Sequence, residues 1–485
     1  MENSSVSGKH LALILVSASL AVFMSSLDGT IVNIALPVIS DYFDLSTSSV
    51  EWVSTIYLLV MAGALLIIGK ITDIIGLKKI FITGFVLFTF GSFACGFFPE
   101  QLNSFGALLA SRVLQGLGGA MMTVIAPAMI SKYMSGAKRA KGMTVVTIFA
   151  GIGMALGPTL GGYLTEYLSW NWIFFINVPV GIIAVILGFI VLPKDKSEKS
   201  SMKGFDVSGA ALIFIGLAGI LFGVSEGNTQ GWTSVPVIVS LILGIVCVVG
   251  FIIRELKAKQ PVLDLRLFKN KTFLILNIIF IIMFFTFAGA NYLLPFYLQY
   301  VQGLSTSSSG LILTVMSFGM MIAGVISGFI YAKLIGKIKY IIMVGAILMA
   351  LGFFFLSKLS PVSGIWVVVS GLALLGFGIG LMLTPLSTLM MGSVPANKQG
   401  MVSSLTGLER FGPMTLGIAF FNILFVEAIK FNVKHSGITE KPPADIAAVI
   451  LSHGFDFCFL IACIVAVAMI VLSIFIKERE IQVEQ

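Results

Sequence analysis

Four charged side chains stand where charge is costliest. Asp28 follows seventeen residues, Leu11 to Leu27, that carry no charge, and it lies inside a run that reads as one apolar helix. Arg112 interrupts the apolar stretch 104–127, and Glu409-Arg410 interrupts the stretch 400–427. A charged residue at the centre of a bilayer costs about 2.5–3.5 kcal/mol on insertion scales, so such residues pair or function. A carboxyl group is the reversible member of this set. Burial disfavours its charged form and equips Asp28 to take up and release a proton. Two readings stay open at Asp28: a proton or cation site, or a carboxylate that caps a kink or pairs permanently with an arginine.

The elements that must hold these charges follow from composition. The chain is 58% hydrophobic and 11% charged, with a mean hydropathy of +1.05, more apolar surface than a water-soluble fold can bury. The fold class expected is therefore an all-α polytopic membrane protein, because lipid admits only helices or closed barrels and these apolar runs are too long for barrel strands. Fourteen runs qualify, at 11–38, 50–70, 79–98, 104–127, 142–165, 172–192, 207–224, 235–254, 272–295, 307–332, 339–357, 364–391, 400–427 and 455–476. The N-terminus leads straight into the run holding Asp28 and reads as a first span rather than a removed signal peptide. The basic residues follow the even-numbered runs, which places 24 of the 30 Lys and Arg on one side. Cytoplasmic loops are the basic ones, so both termini are expected in the cytoplasm of a multi-pass plasma-membrane protein. The same placement accounts for the net charge of +8 without a nucleic-acid partner. The four cysteines lie in apolar runs and read as small hydrophobes. The three histidines are expected outside the spans, so no metal cluster or cofactor site is expected, and no nucleophile–base–acid set points to an enzyme.

With this topology Asp28 lies about ten residues below the outer end of its helix, roughly 15 Å, and Arg112 about eight residues in from the outer end of span four, roughly 12 Å. The two charges are therefore expected at similar depth. Glu409 lies about nine residues in from the cytoplasmic edge, roughly 14 Å, and consecutive helical residues point about 100° apart, so Glu409 and Arg410 do not share a face. Glu409 is either a second proton or cargo-cation site or a local charge-balancing acid. Asn33, Tyr57, Gln115, Asn291, Tyr292 and Gln299 lie in spans or at their ends and, with Arg410, are candidates to line an apolar cavity with a few polar groups; each is also a candidate helix–helix contact. The segment 431–456 reads as the longest outer connection.

The chain also echoes itself. Gly69–Lys79 after span two matches Gly328–Lys337 after span ten, and Gly142-Met143 leading to Gly157-Pro158 matches Gly400-Met401 leading to Gly412-Pro413. The organisation expected is a six-helix bundle over 1–193, a linker with two inserted helices over 194–260, and a second six-helix bundle over 261–485.

On these motifs the sequence resembles the fourteen-helix drug:proton antiporters of the major facilitator superfamily, over essentially the whole chain. Leu27–Pro37 is similar to that family's first-helix motif. Gly69–Lys79 resembles the superfamily's loop between helices two and three, with Ile74 and Leu77 where basic residues are usual. Leu108–Gly118 is similar to the fourth-helix motif with its buried arginine, and Gly151–Gly162 to the fifth-helix antiporter motif. Trp170–Pro179 resembles a further family block, with Asn171 where arginine is usual. The resemblance implies two six-helix bundles plus two inserted helices, working as a monomer by alternating access to exchange protons for lipophilic, cationic drug-like small molecules. It implies Asp28 and Arg112 in proton coupling and Gly157-Pro158 in the hinge; Glu409 departs from the family pattern and joins the proton-coupling candidates on its own burial. Asp73, at a helix end in the cytoplasmic loop, reads as a latch on Arg139 or as a solvated loop acid. Rival readings within the fold are export of a lipid, a metabolite or a metal–tetracycline chelate; a non-transporting receptor is a further one.

Overall fold

The computed structural model describes residues 8–134, 136–193, 206–258, 263–333, 337–395, 398–436 and 443–477. Among them every regular element is helical. A first set comprises α1 (Gly8–Tyr42), α2 (Thr47–Val50), α3 (Trp52–Ile75), α4 (Leu77–Gln101), α5 (Phe105–Tyr133), α6 (Gly136–Tyr167), α7 (Trp172–Phe175) and α8 (Asn177–Val191). A middle pair, α9 (Val207–Gln230) and α10 (Val235–Lys257), separates it from a last set of α11 (Lys271–Phe296), α12 (Thr306–Lys333), α13 (Ile338–Leu356), α14 (Ile365–Gly392), α15 (Gln399–Ser436) and α16 (Ala444–Ile474). With α7 and α8 counted as one span, fourteen helical spans among the described residues are long and apolar enough to cross a membrane, so the fourteen spans read from hydropathy are present.

The ends of the helices are held by side chains that the sequence places there. Ser104 accepts from the Ala107 amide at 3.3 Å, Asp206 from Gly209 at 2.8 Å, and Asn270 from Thr272 and Phe273 at 2.9 and 3.2 Å, each satisfying first-turn N–H groups. At the other end of α8, Lys78 Nζ donates to the carbonyls of Phe189 and Leu192 at 2.8 and 2.7 Å, a cation on orphan C-terminal acceptors. Gly76, at φ 101°, makes the reversal between α3 and α4 that a Cβ would strain.

Two expectations about the ends of spans change. The segment 431–456 is mostly helix: α15 continues to Ser436 and α16 begins at Ala444, while 437–442 lie outside the described residues. Local pairs carry the extension, with Lys430 on Glu427 at 2.8 Å and the Phe431 and His435 rings 4.0 Å apart one turn on. The histidines also belong to long helices: His10 starts α1, His435 ends α15 and His453 lies on α16.

Within the first set α1 packs on α6 and α4 on α5; within the last, α12 packs on α14 and α11 on α15. The sets meet through α6 on α12 and α3 on α15. The sequence echo relates α3 to α12 and α6 to α15, so these two junctions are one contact made twice by related partners. The middle pair packs together, and α9 alone of the two also touches both α3 and α15, bridging the sets.

The face of the bundle that holds Tyr42 at the end of α1, called the far face below, is closed by hydrogen bonds between the sets. Tyr292 Oη donates to Thr47 O at 2.6 Å and Gln299 Nε2 to Ile34 O at 3.0 Å. Tyr300 Oη bonds Asp41 Oδ1 at 2.8 Å, and the Ser307 amide donates to Glu166 Oε2 at 2.7 Å. Small residues let α6 and α12 close beside these bonds. A Cβ on Gly162 would lie 2.5 Å from Thr306 O, and one on Gly310 would overlap the Pro158 carbonyl. Gly310→Val is therefore expected to force the far face open. Cross-linking yield between cysteines at Glu166 and Ser307 should fall several-fold, and an unchanged yield would show that α6 and α12 absorb the added side chain without parting.

Candidate functional site

The first helix carries Asp28 to full burial, and α5 brings Arg112 to meet it: the side chains are 0% and 1% exposed, with Arg112 Nη1 2.9 Å from Asp28 Oδ2. The equal depth read from sequence is realised as an ion pair. Gln115, one turn after Arg112 on α5, faces the same way; its Nε2 donates to Asp28 Oδ1 at 2.8 Å and its Oε1 accepts from Arg112 at 2.6 Å. Asn177 on α8 adds a donor to Oδ1 at 3.3 Å. Arg112 Nε donates to the Val53 carbonyl of α3 at 2.9 Å, and its guanidinium lies over the Tyr57 ring at 4.1 Å.

Close helix approach makes this possible. A Cβ on Gly91 of α4 would sit 2.6 Å from the Gln115 amide, so glycine there lets Ser92 Oγ accept from Gln115 Nε2 at 2.8 Å. Ser92, Cys95 and Asn177 were not singled out from sequence. Asn177 sits inside the block Trp170–Pro179, which was the available signal. Ser92 and Cys95 are single polar atoms in an apolar run and gave none.

Both carboxylate oxygens of Asp28 are thus occupied by donors. Arg112 is the only cation in the group. The arrangement ties Asp28 of α1 to α5, and through Val53 and Tyr57 to α3.

Two small cavities lie between the sets of helices. One is walled by Asp28, Asn33, Tyr57, Arg112 and Asn291, with room of about 10 Å³. The other is walled by Ser25, Tyr57, Met154, Arg410 and Met414, with room of about 60 Å³. These volumes hold waters, whereas drug-sized ligands occupy about 300–1,000 Å³. The centre is closed around its polar groups in this conformation. Asn33, Tyr57, Asn291 and Arg410 line these cavities, Asn33 also accepting from Ser54 Oγ at 2.8 Å. Gln115 and Tyr292 do not: Gln115 is consumed by Asp28 and Arg112, and Tyr292 closes the far face.

Glu409 is 5% exposed, and among the described residues its Oε2 has no hydrogen-bond partner and it forms no ion pair. Arg410 points elsewhere, between the rings of Phe284 and Phe411 at 5.6 and 5.4 Å, with Nη2 3.9 Å from Met154 Sδ. Neighbouring positions on a helix face different ways, so Arg410 does not balance Glu409 here. Gly157 packs on Thr30 of α1, and the Pro158 carbonyl abuts α12, so this pair sits where three helices converge. Arg139 is exposed near the start of α6; the Asp73 side chain lies outside the described residues, so the latch has no described geometry.

The chain is similar to curated proteins along nearly its whole length. It is 32% identical over 436 residues to the riboflavin transporter RibZ of Clostridioides difficile, covering 89% of this chain and 92% of that one. It is 35% identical over 408 residues to the multidrug transporter protein MdtP of Bacillus subtilis, covering 84% and 74%. Among solved structures, a bacterial homologue of the human lysosomal transporter Spinster, inward-facing and unoccupied, matches with a TM-score of 0.65 at 15% identity over 99% of both chains, a likeness of fold. The sequence profile of the Major Facilitator Superfamily matches residues 18–417. A fourteen-helix membrane protein whose related helix sets meet twice through equivalent contacts, and whose relatives transport or export small molecules, this chain belongs to the major facilitator superfamily.

Proposed function

We propose that the chain is a proton-coupled multidrug exporter that moves lipophilic, mainly cationic compounds by alternating access. The observation that carries the reading is the buried Asp28, both of whose oxygens are held by donors from α5 and α8, one of them its counter-ion Arg112. Protonation of Asp28 removes the attraction to Arg112 and frees the guanidinium to move; return of Arg112 expels the proton. Cargo and proton then alternate at one acid. The far face is the extracellular side of the plasma membrane, both termini are cytoplasmic, and the helices of 1–193 rock against those of 261–485, with 194–260 riding between them. Glu409 serves as a second proton or cargo-cation site, Asn33, Tyr57, Asn291 and Arg410 line the cargo path, Gly157-Pro158 forms the hinge, and Asp73 with Arg139 latches the cytoplasmic side. The unit is a monomer in the bilayer and needs no cofactor.

The similarity to a riboflavin transporter favours a second reading, export or exchange of a flat heterocyclic metabolite. One assay addresses both. Purified protein in liposomes with an imposed pH gradient is given ethidium or riboflavin, and movement is followed with and without a protonophore. Protonophore-sensitive movement of ethidium supports cationic drug exchange. Such movement of riboflavin alone moves the cargo to metabolites, and movement indifferent to the protonophore overturns proton coupling.

A further inference from the structure

Glu51 stands at the start of the second span, immediately before Trp52, where the sequence places it at the water edge. The structure buries it completely, at 0% exposure. It sits where α3, α9 and α15 meet at the far face. Among the described residues neither carboxylate oxygen has a partner within hydrogen-bond geometry, and the side chain forms no ion pair. The backbone at Glu51 is helical, φ −55° and ψ −29°, because α2 runs almost directly into α3; the side chain therefore caps nothing.

Its surroundings are unusual in the same way. Ser225 of α9 and Asn422 of α15 lie beside the carboxyl without hydrogen-bond geometry to it. Ser225 Oγ and Asn422 Oδ1 are themselves buried and unpartnered. Asn422 Nδ2 donates to Ser48 Oγ at 3.1 Å, and its oxygen stands as a free acceptor. The titratable groups facing Glu51 are Glu226 of α9 and Tyr292 of α11. Neither supplies positive charge: Glu226 accepts from Trp52 Nε1 at 2.9 Å, and Tyr292 donates to Thr47 O.

A carboxylate in such a place has no counter-charge among the described residues, and burying one in that form is prohibitive. One proton resolves the cluster. A protonated Glu51 donates to Asn422 Oδ1, and Ser225 Oγ donates to the other carboxyl oxygen, so the orphaned atoms become two hydrogen bonds linking the first set, the middle pair and the last set.

We infer that Glu51, with Ser225 and Asn422, is a second proton-binding site, filled while the far face is closed and emptied when it opens. Opening separates α3 from α15 and admits water, which stabilises the carboxylate; the proton leaves to that side and is taken up again from that side as the face closes, so the site carries no net proton across and latches the far face. The site gives the middle helix α9 a part in holding the far face shut, since α9 supplies one of the three groups and bridges both sets. The inference rests on the alternating-access reading, but the far face can be followed without cargo, so either can fail while the other stands.

The test uses the full chain in lipid nanodiscs, in an Asp28→Asn, Glu409→Gln background that removes the other two candidate acids. Spin labels are placed at Asp44→Cys and Val362→Cys, both exposed in connections at the far face. The expected result is an inter-label distance that lengthens as pH rises. Glu51→Gln, isosteric with the protonated acid, should hold the short distance at every pH. Asn422→Leu, which removes the acceptor for the proton, should move opening to lower pH. A Glu51→Gln variant that opens over the same pH range as its parent would overturn the inference. Opening that follows sodium at fixed pH would overturn it in favour of a metal cation on the same oxygens.

Discussion

Asp28→Asn is expected to lower gradient-driven export about 100-fold or more, the scale on which loss of a proton-transferring group acts. The amide has the shape of the acid and its oxygen still accepts from Gln115, so the helices keep their places. What disappears is the exchangeable proton. Arg112 retains the Val53 carbonyl, Gln115 Oε1 and the Tyr57 face, which keeps the buried cation partly satisfied. The prediction is checked by measuring cargo movement in liposomes in two ways, uphill against a pH gradient and as exchange of labelled for unlabelled cargo without one. Coupling through Asp28 requires uphill movement to collapse while exchange continues. Loss of both would indicate damage to the cargo path, and retention of uphill movement would transfer coupling to Glu409.

Arg112→Met should be the most destabilising single change in the centre of the protein, by about 3–5 kcal/mol, because it leaves a buried carboxylate without its cation. The loss should be greatest at high pH and shrink as pH falls, since a proton on Asp28 then removes the stranded charge. Adding Asp28→Asn should restore most of the stability, because replacing both members of a buried pair is far cheaper than removing one. Denaturant or thermal unfolding of the two singles and the double in one detergent, at two pH values, gives the cycle. Additive effects would show that the 2.9 Å pair carries little interaction energy. The double variant, though stable, should remain without gradient-driven export.

These expectations were open to the sequence to different degrees. The fourteen helices followed from one physical fact, that lipid leaves no partner for backbone N–H and C=O except the helix itself, so run length and hydropathy decide the element. The pairing of Asp28 with Arg112 was legible because two charges at equal depth in a medium of low dielectric have few alternatives to each other. The echo between Gly69–Lys79 and Gly328–Lys337 pointed to related helix sets, and the packing of α6 on α12 and α3 on α15 shows what that relation does. The helical continuation of 431–456 was missed because Pro442-Pro443 and scattered polar residues outweighed the local pairs at Lys430 and Phe431.

The sequence by itself determined which residues span, where buried charge sits, and which family the chain resembles, because each depends on composition along one segment. Only the tertiary structure decided which polar groups meet. Gln115 had to be seen against Gly91 to be recognised as the bridge between Asp28 and Ser92, and Tyr292 against Thr47 to be removed from the cavity. Glu51 makes the distinction plainest. Its neighbours in sequence put it at the water's edge, but Ser225 and Asn422, distant along the chain, bury it. Burial of a helix end is a property of the helices packed around it, and no local pattern encodes it.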